Sequence, residues 1–152
     1  MRAPSDGVPD AMARLAHELA HPPFHAFLGP VPVAADAQAG VVEIRVPYRP
    51  EFRRASDSDD IHGGVVAAVI DLAAHAAVAV QTGRMAPTVD LRIDYLRPVP
   101  GAELYVTART LKVGRSIARV DVEVRGASRA CLAVGRGTFS TQQVSHSQEV
   151  AG

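Results

Sequence analysis

Residues 62–71 read His-Gly-Gly-Val-Val-Ala-Ala-Val-Ile-Asp and open the longest apolar stretch of the 152-residue chain. The stretch continues to Gly83 with apolar side chains on almost every side, which predicts one long helix that is buried rather than lying on a surface. Its apolar part, Val65–Val80, is shorter than the ~20 residues that cross a bilayer, and it contains Asp71 and His75. We therefore expect a core helix and no membrane segment.

Strand patterns lie on both sides of this helix. Val31–Ala35 and Gly40–Tyr48 precede it, and Pro32 confines the first of them to a sheet edge. Arg49–Asp60 is interpreted as a polar loop that ends in an acidic cluster. After the helix, alternating apolar residues predict four more strands in a meander: Thr88–Leu96, a strand through Leu104–Ala108, Ala118–Arg125 and Ala130–Phe139.

These elements predict a single α+β domain over residues 10–141, with an antiparallel sheet wrapped around the long helix. A short amphipathic helix over Asp10–Ala20, stopped by Pro22-Pro23, comes first. Residues 1–9 are expected to be a flexible tail, and residues 142–152 a disordered one. Any apolar face of the long helix that the sheet leaves uncovered should pack against another subunit.

Charge and cysteine content exclude several classes of protein. The chain has 16 Lys and Arg against 16 Asp and Glu, and this zero net charge argues against nucleic-acid binding. Cys131 is the only cysteine, so no intrachain disulfide can form. With no export signal in Met1–Pro9, the single cysteine favours a cytoplasmic location.

Three histidines suggest a metal site at first sight. His17, His21 and His25 recur at every fourth position, but the prolines at 22 and 23 interrupt the helix before His25. No cysteine or carboxylate completes the set, and we expect no bound metal.

The start of the long helix carries the strongest chemical signal. The glycines at 63 and 64 allow a ligand to approach the backbone, where free N–H groups and the helix dipole can stabilise an oxyanion. Asp71 is a carboxylate in an apolar helix, so it needs either a partner or a chemical task. His75, one turn further on, could be a purely structural partner. No Gly-x-Ser-x-Gly setting for a serine nucleophile occurs.

With His-Gly-Gly followed by Asp nine residues after the His, the sequence resembles the hotdog-fold acyl-CoA thioesterases of the phenylacetyl-CoA and 4-hydroxybenzoyl-CoA type. The resemblance covers Phe24–Thr141 and includes Pro87–Pro98, Lys112–Arg115 and Ala133–Phe139. It implies a hotdog fold and hydrolysis of acyl-CoA thioesters to the free acid and coenzyme A. Coenzyme A enters only as part of the substrate, so no separate cofactor is expected.

The resemblance also implies roles for particular residues. The Gly63 N–H would polarise the thioester carbonyl, Asp71 would act as nucleophile or general base, and His62 would orient the substrate or the oxyanion loop. Thr88 matches a position where relatives carry a hydroxyl near the attacking water. In the family, the site straddles a dimer interface, with the glycine from one subunit and the aspartate from the other. We expect a homodimer, with a dimer of dimers as a further assembly.

Substrate binding is expected to involve further residues. Arg97, Lys112 and Arg115 lie at turns that line the coenzyme groove in relatives, and arginine suits phosphate geometry. We expect Gly64 and His75 to adjoin the substrate as well.

One position departs from the family pattern. Ser56 stands where relatives often carry an Asn, and a hydroxyl cannot reproduce a carboxamide. This difference keeps an alternative open, a non-catalytic hotdog module that binds acyl-CoA or another apolar ligand. A dehydratase or hydratase on the same fold would normally show a different His/Asp or His/Glu arrangement.

Overall fold

The computed structural model describes residues 10–142, and both predicted tails lie outside this range apart from Gln142. The helices are α1 (Ala11–Ala20), α2 (Pro23–Leu28) and α3 (Gly63–Thr82). The strands are β1 (Val31–Asp36), β2 (Val41–Val46), β3 (Arg53–Ala55), β4 (Ser58–Ile61), β5 (Thr88–Tyr95), β6 (Leu104–Val113), β7 (Ile117–Arg125) and β8 (Cys131–Ser140). A 3-10 turn, Pro50–Phe52, precedes β3.

The main sheet has six strands in the order β1-β2-β6-β7-β8-β5, and every neighbouring pair is antiparallel. Its inner face packs against α3 through alternate residues, for example Val120 and Val122 of β7, which are at most 2% exposed. Strand β1 lies at one edge, as Pro32 predicts. This arrangement confirms the expected α+β hotdog architecture of one long helix wrapped by an antiparallel sheet.

The predicted four-strand meander after the helix is wrong in one connection. Strands β6, β7 and β8 do form a meander, but β5 pairs with β8 at the edge of the sheet, where β8 and β7 separate it from β6. The chain between β5 and β6 contains Pro98 and Pro100, which disfavour a tight hairpin. This connection buries Val99, whose carbonyl accepts a hydrogen bond from the Ile61 N–H (2.8 Å). Local alternation could not show which strand lies beside β5.

The prediction of a polar loop over Arg49–Asp60 is also wrong, because this segment contains a 3-10 turn and the small hairpin β3–β4. Phe52 in this segment is 1% exposed, and burial of its ring anchors the hairpin to the core. The hairpin lies so close to the β5–β6 connection that a Cβ at Gly101 would be 2.3 Å from the Asp59 carbonyl oxygen. Only glycine permits this approach.

Helix α3 begins and ends as its sequence predicts. His62 is the N-cap, and Gly83 terminates the helix in the left-handed conformation at φ 71°. The helix is long and apolar enough to cross a membrane, but most of it is buried inside the domain. Gly135 of β8 lets it approach the sheet, because a Cβ there would be 2.5 Å from Ile70 Cγ2.

The N-terminal region contains one helix more than predicted. Helix α1 ends at Ala20 as expected, and its Asp10 side chain caps the first turn by accepting from the Ala13 N–H (2.8 Å). The segment after the prolines then forms α2, because Pro23 occupies the first helical position, where its missing N–H is not needed.

Candidate functional site

The start of α3 is held by hydrogen bonds that involve His62. The His62 N–H donates to the Phe52 carbonyl (2.7 Å), and the Val65 N–H donates to the His62 carbonyl (2.9 Å). His62 Nδ1 accepts from the Gly64 N–H at 2.8 Å. A ring nitrogen that accepts carries no proton, so the neutral ring has its proton on Nε2. His62 itself is exposed, and this Nε2–H group is directed away from the capping bond.

The peptide between Gly63 and Gly64 is held from both sides. Its N–H, from Gly64, donates to His62 Nδ1, and its carbonyl, from Gly63, accepts from the Tyr95 hydroxyl at 2.8 Å. The N–H of Gly63 is the first of the helix and has no acceptor within it. This arrangement leaves the Gly63 N–H as a donor for a ligand at the positive end of the helix dipole.

Asp71 lies two turns further along α3 and is half-buried. Its Oδ1 accepts a hydrogen bond from the Thr88 hydroxyl at 2.8 Å, while its Oδ2 accepts none from residues 10–142. A bond from one hydroxyl orients the carboxylate and leaves one oxygen able to accept a proton or attack a carbon. Thr88, at the exposed start of β5, is thus brought to Asp71.

His75 does not form a hydrogen-bonded pair with Asp71. Its Nε2 accepts from the Ala86 N–H (3.3 Å), and its Nδ1 lies 3.6 Å from Glu18 Oε2. Burial lowers the pKa of His75 below its ordinary 6.5, against the opposing effect of the Glu18 carboxylate. The imidazole joins α1, α3 and the segment before β5, which is a structural arrangement.

Within one chain, the two chemical groups of the predicted site, the Gly63 N–H and the Asp71 carboxylate, lie far apart. Asp71 follows Gly63 by eight residues, which is about 12 Å of helix. Strand β5 shows the same separation, because Tyr95 contacts Gly63 at one end while Thr88 contacts Asp71 at the other. The free side of β5 is an unpaired sheet edge, where the side chain of Val89 is 63% exposed.

A groove of about 370 Å³ lies beside the start of α3. Gly63, Tyr95 and Arg97 line it together with Arg54 and Asp60 of the β3–β4 hairpin. Arg97, which the resemblance assigns to coenzyme binding, therefore lines the same groove as Gly63. Arg54 was not predicted, because the segment that carries it was interpreted as a loop.

The other predicted binding residues do not line this groove. Lys112 and Arg115 flank the β6–β7 turn, at the end of the sheet where Thr88 begins β5. Ser56 is exposed in the turn of the β3–β4 hairpin, and its side chain forms no hydrogen bond with residues 10–142. Gly64 remains next to Gly63 and exposed.

Two further features lie away from this region. A larger groove, of about 570 Å³, lies on the outer face of the sheet. It is lined by residues such as Arg109, Asp121 and Arg136, and none of the predicted site residues borders it.

Within residues 10–142, no three His, Cys, Asp or Glu side chains are grouped so as to hold a metal ion. His17 and His21 stack on one another, with ring centroids 3.6 Å apart.

Comparison with known proteins places this geometry in a family. The thioesterase superfamily model matches residues 59–133, which include the whole of α3. A Halobacterium salinarum protein with a provisional esterase name is 31% identical over 68% of this chain and 76% of its own length. Human acyl-coenzyme A thioesterase 13 is 28% identical over 76% of this chain and 82% of its own length. A solved structure of a conserved Pseudomonas aeruginosa protein is 30% identical, covers 82% of this chain and 98% of its own, and superposes with a TM-score of 0.72. The chain belongs to the thioesterase superfamily, with the hotdog fold.

Proposed function

We propose that the chain hydrolyses acyl-CoA thioesters to the free acid and coenzyme A. Membership of the thioesterase superfamily assigns thioester hydrolysis as the class of reaction. The observation that carries the proposal is the half-buried carboxylate of Asp71, held at 2.8 Å by the Thr88 hydroxyl on an otherwise apolar helix. A carboxylate with one oriented and one available oxygen suits either nucleophilic or general-base catalysis.

In the general-base route, Asp71 takes a proton from water as the water oxygen attacks the thioester carbon. The C–S bond then breaks, its electron pair goes to sulfur, and the proton held by Asp71 passes to the coenzyme thiolate. In the nucleophilic route, Asp71 attacks the carbon itself, the C–S bond breaks with its electron pair going to sulfur, and an anhydride forms. Water then hydrolyses the anhydride to the free acid and the Asp71 carboxylate, and the coenzyme thiolate takes up the proton that this water releases. Both routes require the ionised carboxylate, and both place negative charge on the carbonyl oxygen.

The Gly63 N–H is the proposed donor to this oxyanion. Two hydrogen bonds support the assignment, one that His62 Nδ1 accepts from the Gly64 N–H and one that the Tyr95 hydroxyl donates to the Gly63 carbonyl. They hold the next peptide and leave the Gly63 N–H available. A donor that is fixed before the reaction stabilises developing charge without reorganising. The Nε2–H of His62, if the substrate lies over the helix start, is a second donor toward the thioester.

We further propose that two chains form each site, because Gly63 and Asp71 of one chain are too far apart to act on one carbonyl. Pairing of two β5 edges in antiparallel fashion, about a two-fold axis near Leu91–Ile93, would lay Tyr95 of one protomer opposite Thr88 of the other. Gly63 would then face Asp71 of the partner subunit. A dimer of dimers and a cytoplasmic location remain predictions from the sequence.

The second candidate is a non-catalytic module that binds acyl-CoA or another apolar ligand. Ser56 is the observation that favours it, because this residue replaces the family's Asn and lies exposed in a hairpin turn. The Ser56 hydroxyl offers one donor, whereas the amide of an Asn side chain offers two N–H donors and a carbonyl acceptor.

A thiol-release assay decides between the two candidates. The purified protein is incubated with short-chain, long-chain, aromatic and hydroxylated acyl-CoAs, and free coenzyme A is followed with a thiol reagent. Release with at least one of these substrates is expected, and the preferred one identifies the acyl class. If none is hydrolysed while acyl-CoA still raises the melting temperature, the protein is a binding module.

A further inference from the structure

The turn of the β3–β4 hairpin presents a serine that the proposed reaction does not use. Ser56 and Asp57 form this two-residue turn, because Ala55 and Ser58 pair on either side of it. Ser56 is exposed, and its side chain forms no hydrogen bond with residues 10–142. The hydroxyl is therefore available to a partner that approaches from solution.

Two arginines come shortly before this serine. Arg53 and Arg54 are its third and second neighbours on the N-terminal side, and no other serine or threonine of the sequence has arginine at both positions. Both arginines are exposed and have only weak partners. Arg53 Nε donates to the Pro50 carbonyl at 3.1 Å, and Arg54 pairs with Asp60 at 3.3 Å. Exposed arginines at these two positions are the charge pattern by which an arginine-directed protein kinase selects its substrate.

The backbone of this segment also suits recognition by a second protein. Arg53 is extended, with φ −60° and ψ 141°, and β3 continues to Ala55. The sheet that contains β3 has only two strands, so one edge of β3 has no neighbouring strand. A partner can bind an extended segment along such a free edge.

We propose that Ser56 is a phosphorylation site for an arginine-directed serine kinase, and that its phosphate weakens the binding of acyl-CoA. In the transfer, Ser56 Oγ attacks the γ-phosphorus of ATP held by the kinase. The bond from that phosphorus to the β–γ bridging oxygen breaks, its electron pair leaves with ADP, and the hydroxyl proton passes to a base of the kinase. The effect on binding rests on the proposed function, because acyl-CoA is the anionic substrate concerned.

The phosphate acts first on Arg54. Ser56 follows Arg54 by two residues, about 7 Å along a strand, which an arginine side chain can span. The pair of Arg54 and Asp60 is exposed and therefore weak in water. A phosphate with about two negative charges competes with this carboxylate for the guanidinium. Phosphorylation thus draws Arg54 toward the hairpin turn.

The groove beside the start of α3 changes its charge as a result. Arg54, Arg97 and Asp60 are the charged residues that line this groove, and together they carry one net positive charge. A phosphate on the adjoining turn makes the local charge about one negative. Because Gly63 lines the same groove, an anionic substrate is then repelled from the start of the helix.

The first measurement determines whether the site is used. The intact protein is incubated with ATP and the catalytic subunit of cyclic-AMP-dependent protein kinase, and mass spectrometry of the digested product locates the phosphate. We expect a phosphate on Ser56 in the wild type and in Ser58→Ala, the matched control that removes the other serine of the hairpin. Ser56→Ala should stay unmodified in this segment. Arg53→Gln and Arg54→Gln should each be phosphorylated about tenfold more slowly, since each loses one recognition charge.

The second measurement determines what the phosphate does. Free coenzyme A is titrated by calorimetry into each protein before and after kinase treatment, so each variant is its own reference and no hydrolysis is needed. Treatment should weaken binding about tenfold in the wild type and in Ser58→Ala, and it should change nothing in Ser56→Ala. In the thiol-release assay, treatment of the wild type should raise KM and leave kcat nearly unchanged, because repulsion of the substrate acts on binding.

Asp57 and Asp59 follow Ser56, so a parallel incubation uses casein kinase II, which acidic residues direct. Modification of Ser56 by this kinase alone overturns the proposal, as does a wild type that acquires no phosphate on Ser56. Unchanged coenzyme A binding after phosphorylation of Ser56 overturns it as well. If phosphorylation weakens coenzyme A binding but the protein releases no thiol from any acyl-CoA, the proposed hydrolysis fails and this inference stands.

Discussion

The hydroxyl of Thr88 donates a 2.8 Å hydrogen bond to Oδ1 of Asp71 and so joins the start of β5 to the middle of α3. The two residues are 17 positions apart in sequence, and the long helix ends between them. This bond selects one orientation of the carboxylate, with Oδ2 facing away from the hydroxyl. The geometry of the proposed reaction therefore depends on how the helix packs against an edge strand.

Replacing Asp71 with Asn should lower turnover strongly while preserving the fold. The amide oxygen can still accept from Thr88, but an amide can neither take a proton from water nor attack a carbonyl carbon. We expect kcat to fall about 10²- to 10⁴-fold, the usual contribution of a positioned acid or base. Thiol release measures the rate, and calorimetric coenzyme A binding serves as the folding control. Wild-type turnover by Asp71→Asn would exclude both proposed routes.

Thr88→Val removes the hydroxyl with little change of shape, so Asp71 loses the group that orients it. We expect kcat to fall about tenfold, with a smaller effect on KM, because one hydrogen bond to a charged group is lost. Thr88→Ser is the matched control and should restore most of the rate. If the serine variant is as slow as the valine variant, the methyl group matters and the hydrogen bond does not.

Gly63→Pro tests the oxyanion donor. Proline has no N–H but suits the first helical position, and His62 already has the extended backbone, ψ 135°, that the residue before a proline requires. The rate should fall about 10²- to 10³-fold, as when one oxyanion donor is removed. Gly63→Ala keeps the N–H, and its Cβ would lie 3.4 Å from Tyr95, an ordinary contact. Alanine and proline variants of equal activity would remove Gly63 from the mechanism.

Mixing subunits tests whether two chains form each site. Gly63→Pro and Asp71→Asn proteins are denatured together, refolded and assayed. In a shared site, each mixed dimer contains one intact and one doubly defective site, so random pairing restores about a quarter of the wild-type rate. If the mixture stays as inactive as its two components, each site is built within one chain.

Tyr95→Phe should lower kcat several-fold and leave KM nearly unchanged. The hydroxyl donates to the Gly63 carbonyl at 2.8 Å, and its loss frees the peptide that follows the oxyanion donor. The residue acts through Gly63, so its effect should vanish in the Gly63→Pro background, as a double-mutant cycle would reveal. Tyr105→Phe is the control, because the Tyr105 hydroxyl donates to Glu103 instead. Full additivity of the Tyr95 and Gly63 effects would contradict this positioning role.

His75 should make the fold less stable in mild acid. Its pKa is lowered in the folded state, mainly by burial of a side chain that is 18% exposed, so the unfolded chain binds a proton first as the pH falls. The contribution to stability is complete above the ordinary pKa of 6.5 and is lost below it. His75→Gln keeps an acceptor for the Ala86 N–H and should show a flatter decline of melting temperature between about pH 7 and pH 5. An unchanged pH profile would rule out His75 as the group responsible.

Much of the candidate site could be proposed from the sequence because its residues are close together in the chain. His62, the glycine pair and Asp71 belong to one helix, whose start and apolar periodicity depend on neighbours a few residues away. The sequence also indicated the inner faces of the strands, and Val120 and Val122 of β7 are buried as their alternation requires. Thr88 came into the site only through the family resemblance.

The sequence alone therefore determined the long helix, its two ends, the alternation of the strands and the eight-residue spacing of Gly63 and Asp71. Tertiary structure decided that β5 lies beside β8, that His75 contacts Glu18 and Ala86 and that Arg54 shares a groove with Arg97. Each of these pairings joins residues far apart in the chain. They depend on which packing of the elements around α3 buries the most apolar surface. A local pattern of side chains cannot predict that packing.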